Sequence, residues 1–233
     1  MKVTPIKAFS DNYIWVIEDK GKAVIVDPGE SDAVLAYLKE KDLRLTTILL
    51  THNHDDHVGG VKDIVEAYPQ VVIYGPQETA DMAGHIVAEG DAIELMGETV
   101  RVVRSEGHTR GHISYIMGDK LFCGDALFSA GCGRVFTGDY QAQYDALQTF
   151  KALDDAVAVY AAHEYTQTNL RFAISIEADN DLLKQALTDA DELLAAGRPT
   201  LPTTIGREKE INLFLQAESL DEFIELRQQR DQF

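Results

Sequence analysis

The sequence contains very little cysteine. Its two cysteines, Cys123 and Cys132, are nine positions apart, and neither belongs to a Cys-x-x-Cys pair. The chain as given carries no secretory signal, so reduced thiols are favoured over a disulfide. We therefore expect both side chains to be small packing residues near the functional site.

The sequence also lacks long hydrophobic runs and any excess of positive charge. No stretch approaches the roughly 18–20 apolar residues of a membrane span, and the N-terminus has no apolar signal segment. There are 21 Lys and Arg against 39 Asp and Glu, a net charge of −18, which argues against nucleic acid as a partner. We expect a cytoplasmic monomer with no membrane partner, in which an anionic ligand would require locally clustered cations.

Short β-rich runs alternate with helical patterns over the first two thirds of the chain, which predicts an α/β domain over residues 1–165. After Thr166 the β signal fades and a leucine stripe follows, which predicts a small helical subdomain over residues 166–233. The elements predicted most directly are a hairpin formed by residues 13–17 and 23–26, a helix capped by Ser31, and helices at residues 61–68, 144–153, 182–194 and 220–229.

The most informative segment is Thr-His-Asn-His-Asp-Asp-His-Val-Gly-Gly at residues 51–60. It places three histidines and two aspartates within six positions, in a chain that has 7 histidines. An apolar β-like run precedes it, so a strand delivers the cluster to a loop where ligands can converge. His52 and His54 can present ring nitrogens toward one ion, whereas Asp56 and His57 can face a neighbouring position. Imidazole and carboxylate are suitable ligands for zinc, iron and manganese.

Three further candidate ligands follow predicted strands or turns. His108 lies in Gly-His-Thr-Arg-Gly-His, Asp125 follows the strand at residues 121–123, and His163 follows the strand at residues 157–160. Taken singly, each is explained better as a surface group or as a neighbour of a ligand than as a metal ligand. Together with the histidine segment they predict a metal site along one rim of the domain.

The histidine segment and the early Val26-Asp27-Pro28-Gly29 turn resemble the metallo-β-lactamase superfamily. That resemblance implies a four-layer αββα sandwich with two divalent metal ions, zinc first, with iron or manganese as alternatives. It implies that Asp56 also orients a metal-bound hydroxide, and that Asp125 bridges the ions. The implied ligands are His52, His54 and His108 for one ion and Asp56, His57 and His163 for the other, with Asp125 shared.

Other segments narrow the resemblance to glyoxalase II, the hydroxyacylglutathione hydrolases. They are Gly-Asp-Ala-Leu-Phe at 124–128, Gly-Cys-Gly-Arg at 131–134, His-Glu-Tyr-Thr at 163–166, and the ending Arg-Gln-Gln-Arg-Asp-Gln-Phe at 227–233. The resemblance spans essentially the whole chain. It implies that the chain hydrolyses S-D-lactoylglutathione to D-lactate and glutathione, the second step of methylglyoxal detoxification, and that the helical subdomain binds glutathione.

We predict that arginine side chains recognise the substrate. Arg227 and Arg230 share one helix face at i, i+3, and a guanidinium can bind a carboxylate of glutathione through two parallel hydrogen bonds. The resemblance adds Arg134 as a third cation and Tyr165 as a hydrogen-bonding partner of the tripeptide. Phe136 lies where several relatives carry tyrosine, and Ala126 lies where threonine is commoner, so a substrate hydrogen bond and the metal's surroundings are expected to differ.

The sequence is also compatible with two other classes of function. One is a glutathione-persulfide dioxygenase, which has a similar fold and uses a single iron. The other is a module that binds metal or glutathione without catalysis. A β-lactamase is disfavoured by the missing secretory signal, and RNA processing is disfavoured by the negative charge.

Overall fold

The computed structural model describes residues 1–233, which form twelve β-strands and nine α-helices. The chain divides into two compact units. The first comprises Met1–Arg104 with Gly111–Gly118, and the second comprises Ser105–Arg110 with Asp119–Phe233. These units are defined by the contacts within each of them. The domain boundary predicted after residue 165 stays a prediction. None of the helices combines the length and apolar character needed to span a membrane.

A six-stranded sheet dominates the first unit. The order β1-β2-β3-β4-β5-β6 is antiparallel from β1 to β3 and parallel from β3 to β6. The predicted hairpin is confirmed: Lys20 and Gly21 connect its strands at φ +46° and +76°, the left-handed conformations of a tight two-residue turn. The strands are β1 (Lys2–Ala8), β2 (Asn12–Asp19), β3 (Lys22–Val26), β4 (Arg44–Leu49), β5 (Val72–Gly75) and β6 (His85–Ile86).

Helices α1 (Asp32–Glu40), α2 (Asp55–Val58) and α3 (Val61–Ala67) belong to the same unit. Ser31 occupies the N-cap position of α1 as predicted, but its hydroxyl makes no cap hydrogen bond and instead donates to Asp63 Oδ2 at 3.2 Å. The buried faces of α1 and α3 pack into the apolar core of the sheet. This packing fixes the segment between β4 and α3 at both ends, and that segment is the histidine cluster.

Three antiparallel strands complete the first unit: β7 (Ala92–Leu95), β8 (Glu98–Arg104) and β9 (Ile113–Met117). The amide of Ile113 donates to the carbonyl of Thr51 at 3.0 Å, so the start of β9 is joined to the start of the histidine cluster. His112, immediately before β9, is buried and stacks on His52 with ring centroids 4.8 Å apart. This packing restricts the orientation of the His52 ring.

The second unit has three strands and six helices. Strand β10 (Lys120–Gly124) runs parallel to β11 (Ala158–Ala161), and β12 (Thr203–Thr204) is antiparallel to β11. The helices are α4 (Tyr140–Lys151), α5 (Thr166–Ile176), α6 (Asp181–Ala195), α7 (Ile205–Ile211), α8 (Leu213–Gln216) and α9 (Leu220–Gln232). The region after Thr166 is thus helical as predicted, except for β12.

Helix α4 begins earlier than the sequence pattern predicts. The expected helix started at residue 144, whereas the observed helix starts at Tyr140 because the Asp139 carboxylate caps it, accepting from the amide of Ala142 at 3.0 Å. Both cysteines lie in this unit, buried and unbridged as expected. Burial raises the pKa of each thiol, so both stay protonated packing groups.

Glu208 on α7 is a fully buried carboxylate. It accepts hydrogen bonds from the Ser129 hydroxyl at 3.0 Å, the Ala130 amide at 2.7 Å, the Thr203 hydroxyl at 2.8 Å and the Asn212 amide group at 3.0 Å. Burial raises the pKa of Glu208, but all four contacts are donors that need an acceptor. The carboxylate therefore fixes the turn at 128–131, which leads directly into Gly-Cys-Gly-Arg.

We predict that Glu208→Ala lowers the free energy of unfolding by roughly 3 kcal/mol, because it removes the acceptor of the Ser129 and Thr203 hydroxyls and of the Ala130 amide. The matched control is Glu210→Ala on the same helix, which removes an exposed carboxylate and should cost less than about 1 kcal/mol. Urea unfolding of both variants measures the difference. Equal effects of the two substitutions would contradict the structural role assigned to Glu208.

Candidate metal centre and anion pocket

The histidine cluster begins where β4 ends. His52 is fully buried, His54 precedes α2 with extended backbone, and Asp56 and His57 lie on α2 itself. The Nε2 atom of His52 and the Nδ1 atom of His54 are 3.0 Å apart. Two ring nitrogens at such a separation can ligate one cation, so the predicted pairing of these two histidines agrees with their placement.

Asp27 organises this cluster from the turn after β3. Its carboxylate accepts from the amide of Thr51 at 2.8 Å and from the Thr51 hydroxyl at 2.6 Å, and it lies 3.0 Å from Nδ1 of His57. A carboxylate only accepts, so Nδ1 of His57 carries the hydrogen and Nε2 keeps its lone pair for a metal. The Thr51 hydroxyl already donates its hydrogen to Asp27, so it accepts from Nδ1 of His52, which lies 3.0 Å from the hydroxyl oxygen.

Asp56 is held by a residue that the sequence did not single out. The side-chain amide of Asn12 donates to Asp56 Oδ2 at 3.0 Å. The main chain of Asp56 also explains why the Asp-Pro-Gly turn ends in a glycine. A Cβ at Gly29 would lie only 1.9 Å from the carbonyl oxygen of Asp56. The turn after β3 and the start of β2 thus both hold α2, and the only hint in the sequence was the Asp-Pro-Gly segment.

The second unit holds His108, Asp125 and His163 together. Nε2 of His108 lies 3.3 Å from one oxygen of Asp125, and Nε2 of His163 lies 3.3 Å from the other. Asp125 follows β10 and His163 follows β11, and these strands are parallel neighbours, so their carboxyl ends meet at one edge. A buried carboxylate facing a different imidazole with each oxygen suits a ligand shared between two ions.

The surroundings of His108 fix its tautomer. Its Nδ1 lies 2.9 Å from the carbonyl oxygen of Arg134, which can only accept, so Nδ1 carries the hydrogen and Nε2 faces Asp125. Gly133 makes this approach possible, since a Cβ there would lie 2.0 Å from the Asp125 carbonyl oxygen and 3.0 Å from His108 Nδ1. Neutral imidazoles and carboxylates in these orientations fit a divalent metal ion.

A cavity of about 300 Å³ lies in the second unit. Four of the five predicted substrate-binding residues line it: Arg134, Tyr165, Arg227 and Arg230. The fifth, Phe136, is not among its lining residues; its exposed ring lies edge-on to His108, with centroids 5.3 Å apart, and the Arg134 guanidinium lies 5.8 Å from its centre. Tyr165 stacks on His163 at 4.7 Å, so one wall of the cavity adjoins a candidate metal ligand.

The two arginines of α9 have different environments. Arg227 is buried: Nη1 donates to the carbonyl of Cys132 at 2.8 Å, and its guanidinium lies 5.1 Å from the ring centre of Phe214. Arg230 is half-buried, and its Nε and Nη2 both donate to Asn169 Oδ1 at 3.3 Å. Burial, followed by the charge of Arg227, lowers the pKa of Arg230, so an anionic ligand would relieve an unfavourable charge.

The chain matches two family models over almost its full length. Residues 9–163 match the metallo-beta-lactamase superfamily, and residues 164–233 match the hydroxyacylglutathione hydrolase C-terminus. It is 55% identical to the hydroxyacylglutathione hydrolase of Glaesserella parasuis serovar 5 (strain SH0165) over 100% of both chains. It is 46% identical to that of Vibrio cholerae serotype O1 (strain M66-2), over 94% of this chain and 87% of the relative.

Solved structures agree on the fold. ETHE1 from Myxococcus xanthus aligns with a TM-score of 0.75 and 27% identity, covering 98% of this chain and 90% of the other. The BLEG-1 B3 metallo-beta-lactamase aligns with a TM-score of 0.70 and 23% identity, covering 93% and 99%, which shows a shared fold alone. The expected α/β metallo-β-lactamase sandwich with a C-terminal helical region is therefore confirmed.

We predict that Gly133→Ala lowers divalent-metal affinity by about 10- to 100-fold, because the new Cβ displaces Asp125 or His108 from its present orientation. Elemental analysis after dialysis against graded chelator measures the loss. Gly84→Ala is the matched control, since a Cβ at Gly84 meets nothing within 4 Å. Wild-type metal retention by the Gly133 variant would show that this close approach does not support the metal site.

Proposed function

Because the chain belongs to the hydroxyacylglutathione hydrolase family of the metallo-β-lactamase superfamily, we propose that it hydrolyses S-D-lactoylglutathione to D-lactate and glutathione. The single observation that carries the proposal lies in the second unit: the main chain of Arg134 accepts from the candidate ligand His108, while its side chain lines the arginine-rich cavity. The same residue thus orients a candidate metal ligand with its main chain and lines the anion-binding cavity with its side chain. Formation of lactate and glutathione would be the second step of methylglyoxal detoxification.

Two divalent ions are proposed, zinc in the first instance. The ligand set carried over from the family motif assigns His52, His54 and His108 to one ion, Asp56, His57 and His163 to the other, and Asp125 to both. The hydrogen bonds of two of these histidines support this set. Asp27 accepts from Nδ1 of His57 and the Arg134 carbonyl accepts from Nδ1 of His108, so Nε2 of each ring is left to bind a metal. Iron and manganese accept the same donors, so elemental analysis decides the metal.

When bound, such ions lower the pKa of water and polarise a carbonyl. The chain's own residues orient the reactants. Asp56, fixed by the Asn12 amide, is proposed to accept a hydrogen bond from the attacking water on one carboxylate oxygen. Water adds its oxygen to the acyl carbon, the carbon–sulfur bond breaks, and the sulfur departs as thiolate. Of the two protons that the water loses, one ends on the departing thiolate and the other is released to solvent as the lactate carboxylate forms. The reference pKa of a thiol is about 8.5, so no strong general acid is needed.

Recognition of the glutathione portion is assigned to the cavity of the second unit. Glutathione is anionic, and a guanidinium can bind its carboxylates through paired hydrogen bonds. Arg134 and Arg230 are the proposed direct partners, because Arg227 is buried against Cys132. Tyr165, stacked on His163, is proposed to hydrogen-bond the peptide, and the exposed ring of Phe136 is proposed to make an apolar contact where a tyrosine would donate.

The persulfide dioxygenase alternative is less well supported. The match of residues 164–233 to the hydroxyacylglutathione hydrolase C-terminus favours hydrolysis. A metal content near one iron per chain, with oxygen uptake on glutathione persulfide, would reverse this preference. A content near two metals per chain with thioester hydrolysis supports the proposal.

We predict that Asp125→Asn lowers the rate of S-D-lactoylglutathione hydrolysis by at least about 10²-fold. Replacing a residue that only hydrogen-bonds a metal ligand already lowers activity by about 10- to 100-fold, and Asp125 is a proposed ligand itself. Loss of thioester absorbance measures the rate, and circular dichroism verifies folding. Asp119→Asn, an exposed site just before β10, is the matched control and should keep wild-type activity. A folded, metal-loaded Asp125 variant with full activity would refute the assigned role.

We also predict that Arg230→Ala raises the KM for S-D-lactoylglutathione by roughly 10-fold or more, because a charge-assisted hydrogen bond to a carboxylate is lost. The KM for a small thioester without carboxylates should not change. Arg171→Ala on α5 is the control, since that arginine is exposed and outside the cavity. An equal change with both thioesters would exclude Arg230 from glutathione recognition.

A further inference from the structure

Asp231 contacts both Arg227 and Arg134, two arginines that lie far apart in the sequence. Its Oδ1 accepts from Nη2 of Arg227 at 2.9 Å and from Nε of Arg134 at 3.2 Å. Nη2 of Arg134 also lies 3.4 Å from the Asp231 carbonyl oxygen. One carboxylate oxygen on α9 therefore holds a buried guanidinium of its own helix and a half-exposed guanidinium of the loop.

The same helix holds the loop at a second point. Arg227 donates from Nη1 to the carbonyl of Cys132, two residues before Arg134. On the other side of this segment, the Arg134 carbonyl accepts from His108 Nδ1. The segment from Cys132 to Arg134 is thus fixed by Arg227 and Asp231 on the α9 side and by His108 on the other.

Charge explains why a carboxylate is needed here. Arg134, Arg227 and Arg230 all line one cavity of about 300 Å³, and Asp231 is the acidic group among its lining residues. Like charges in so small a space repel, and the Arg134 side chain, 52% exposed, could reach solvent instead. Asp231 offsets one charge and keeps Arg134 at the cavity, while leaving an excess of positive charge for an anionic ligand.

We propose that Asp231 is a positioning residue for substrate recognition, which holds the Arg134 guanidinium at the cavity where it meets a carboxylate of the glutathione portion. Asp231 itself does not contact the reacting atoms; it acts through Arg134, with Arg227 as the buried partner that fixes its own orientation. The inference rests on the proposed function and adds the residue that arranges its recognition site.

The test compares Asp231→Asn, which removes the charge at nearly constant shape, with Asp231→Glu, which keeps it. Each metal-loaded variant is assayed on S-D-lactoylglutathione and on a small thioester without carboxylates, and its affinity for S-methylglutathione is measured by calorimetry. Glu225→Gln is the matched control, because it removes one negative charge from an exposed position of the same helix.

We expect Asp231→Asn to raise the KM for S-D-lactoylglutathione and the Kd for S-methylglutathione by about 10-fold, with kcat and the small thioester unaffected. Asp231→Glu should restore both constants to within about threefold, a rescue that general weakening of the fold would not give. Equal losses on both thioesters, unchanged binding, or tighter binding by Asp231→Asn would overturn the proposal.

The two proposals fail separately. A wild-type protein that binds S-methylglutathione but does not hydrolyse S-D-lactoylglutathione would refute the hydrolase function. The effect of Asp231→Asn on binding would still decide the role of Asp231. Hydrolysis by the wild type together with unchanged binding in Asp231→Asn would refute only the positioning role. Absence of S-methylglutathione binding in the wild type would overturn the recognition site itself.

Discussion

The structure depends on one buried carboxylate, Asp125, whose two oxygens face the Nε2 atoms of His108 and His163 at 3.3 Å. A carboxylate removed from water needs nearby donors or cations, so this arrangement is stable only where compensating groups converge. Parallel pairing of β10 and β11 brings Asp125 and His163 to one edge. Gly133 lets the loop pass within van der Waals distance of Asp125, which no residue with a Cβ could do.

Both units orient imidazole rings by the same means. In the first unit the Asp27 carboxylate accepts a hydrogen bond from Nδ1 of His57, and in the second the Arg134 carbonyl accepts one from Nδ1 of His108. In each case the acceptor leaves Nε2 with its lone pair, the state that a metal ligand requires. The acceptors come from segments that are distant in sequence, so the fold, rather than the histidine segment, decides which ring nitrogen faces a metal.

The sequence predicts those features that depend on local pattern. The hairpin at Asp19–Lys22, the helix after Val61 and the cluster at His52–His57 follow from alternation, spacing and composition, and the structure contains them. Strand β1 was not predicted, since Pro5 interrupts its pattern and the strand gains its hydrogen bonds from β2 at the edge of the sheet. The roles of Asn12 and Asp231 could not be predicted either, because each contacts a residue far away in the sequence. Asn12 contacts a residue 44 positions away and Asp231 one 97 positions away, and no periodicity records such contacts.

For the arginines of α9, the sequence pattern predicts the shared helix face correctly but does not predict how deeply each side chain is buried. Spacing at i, i+3 predicts a shared helix face, but depth on that face differs: Arg227 is buried against the Cys132 carbonyl, whereas Arg230 reaches the cavity beside Asn169. A buried guanidinium with its donors committed to main chain and Asp231 is a poor ligand for substrate and a good anchor for a loop. Because that loop also supplies the carbonyl that orients His108, recognition and metal ligation rest on the same few backbone atoms. A substitution of Arg227 that shifts Cys132 would therefore disturb the orientation of His108 as well.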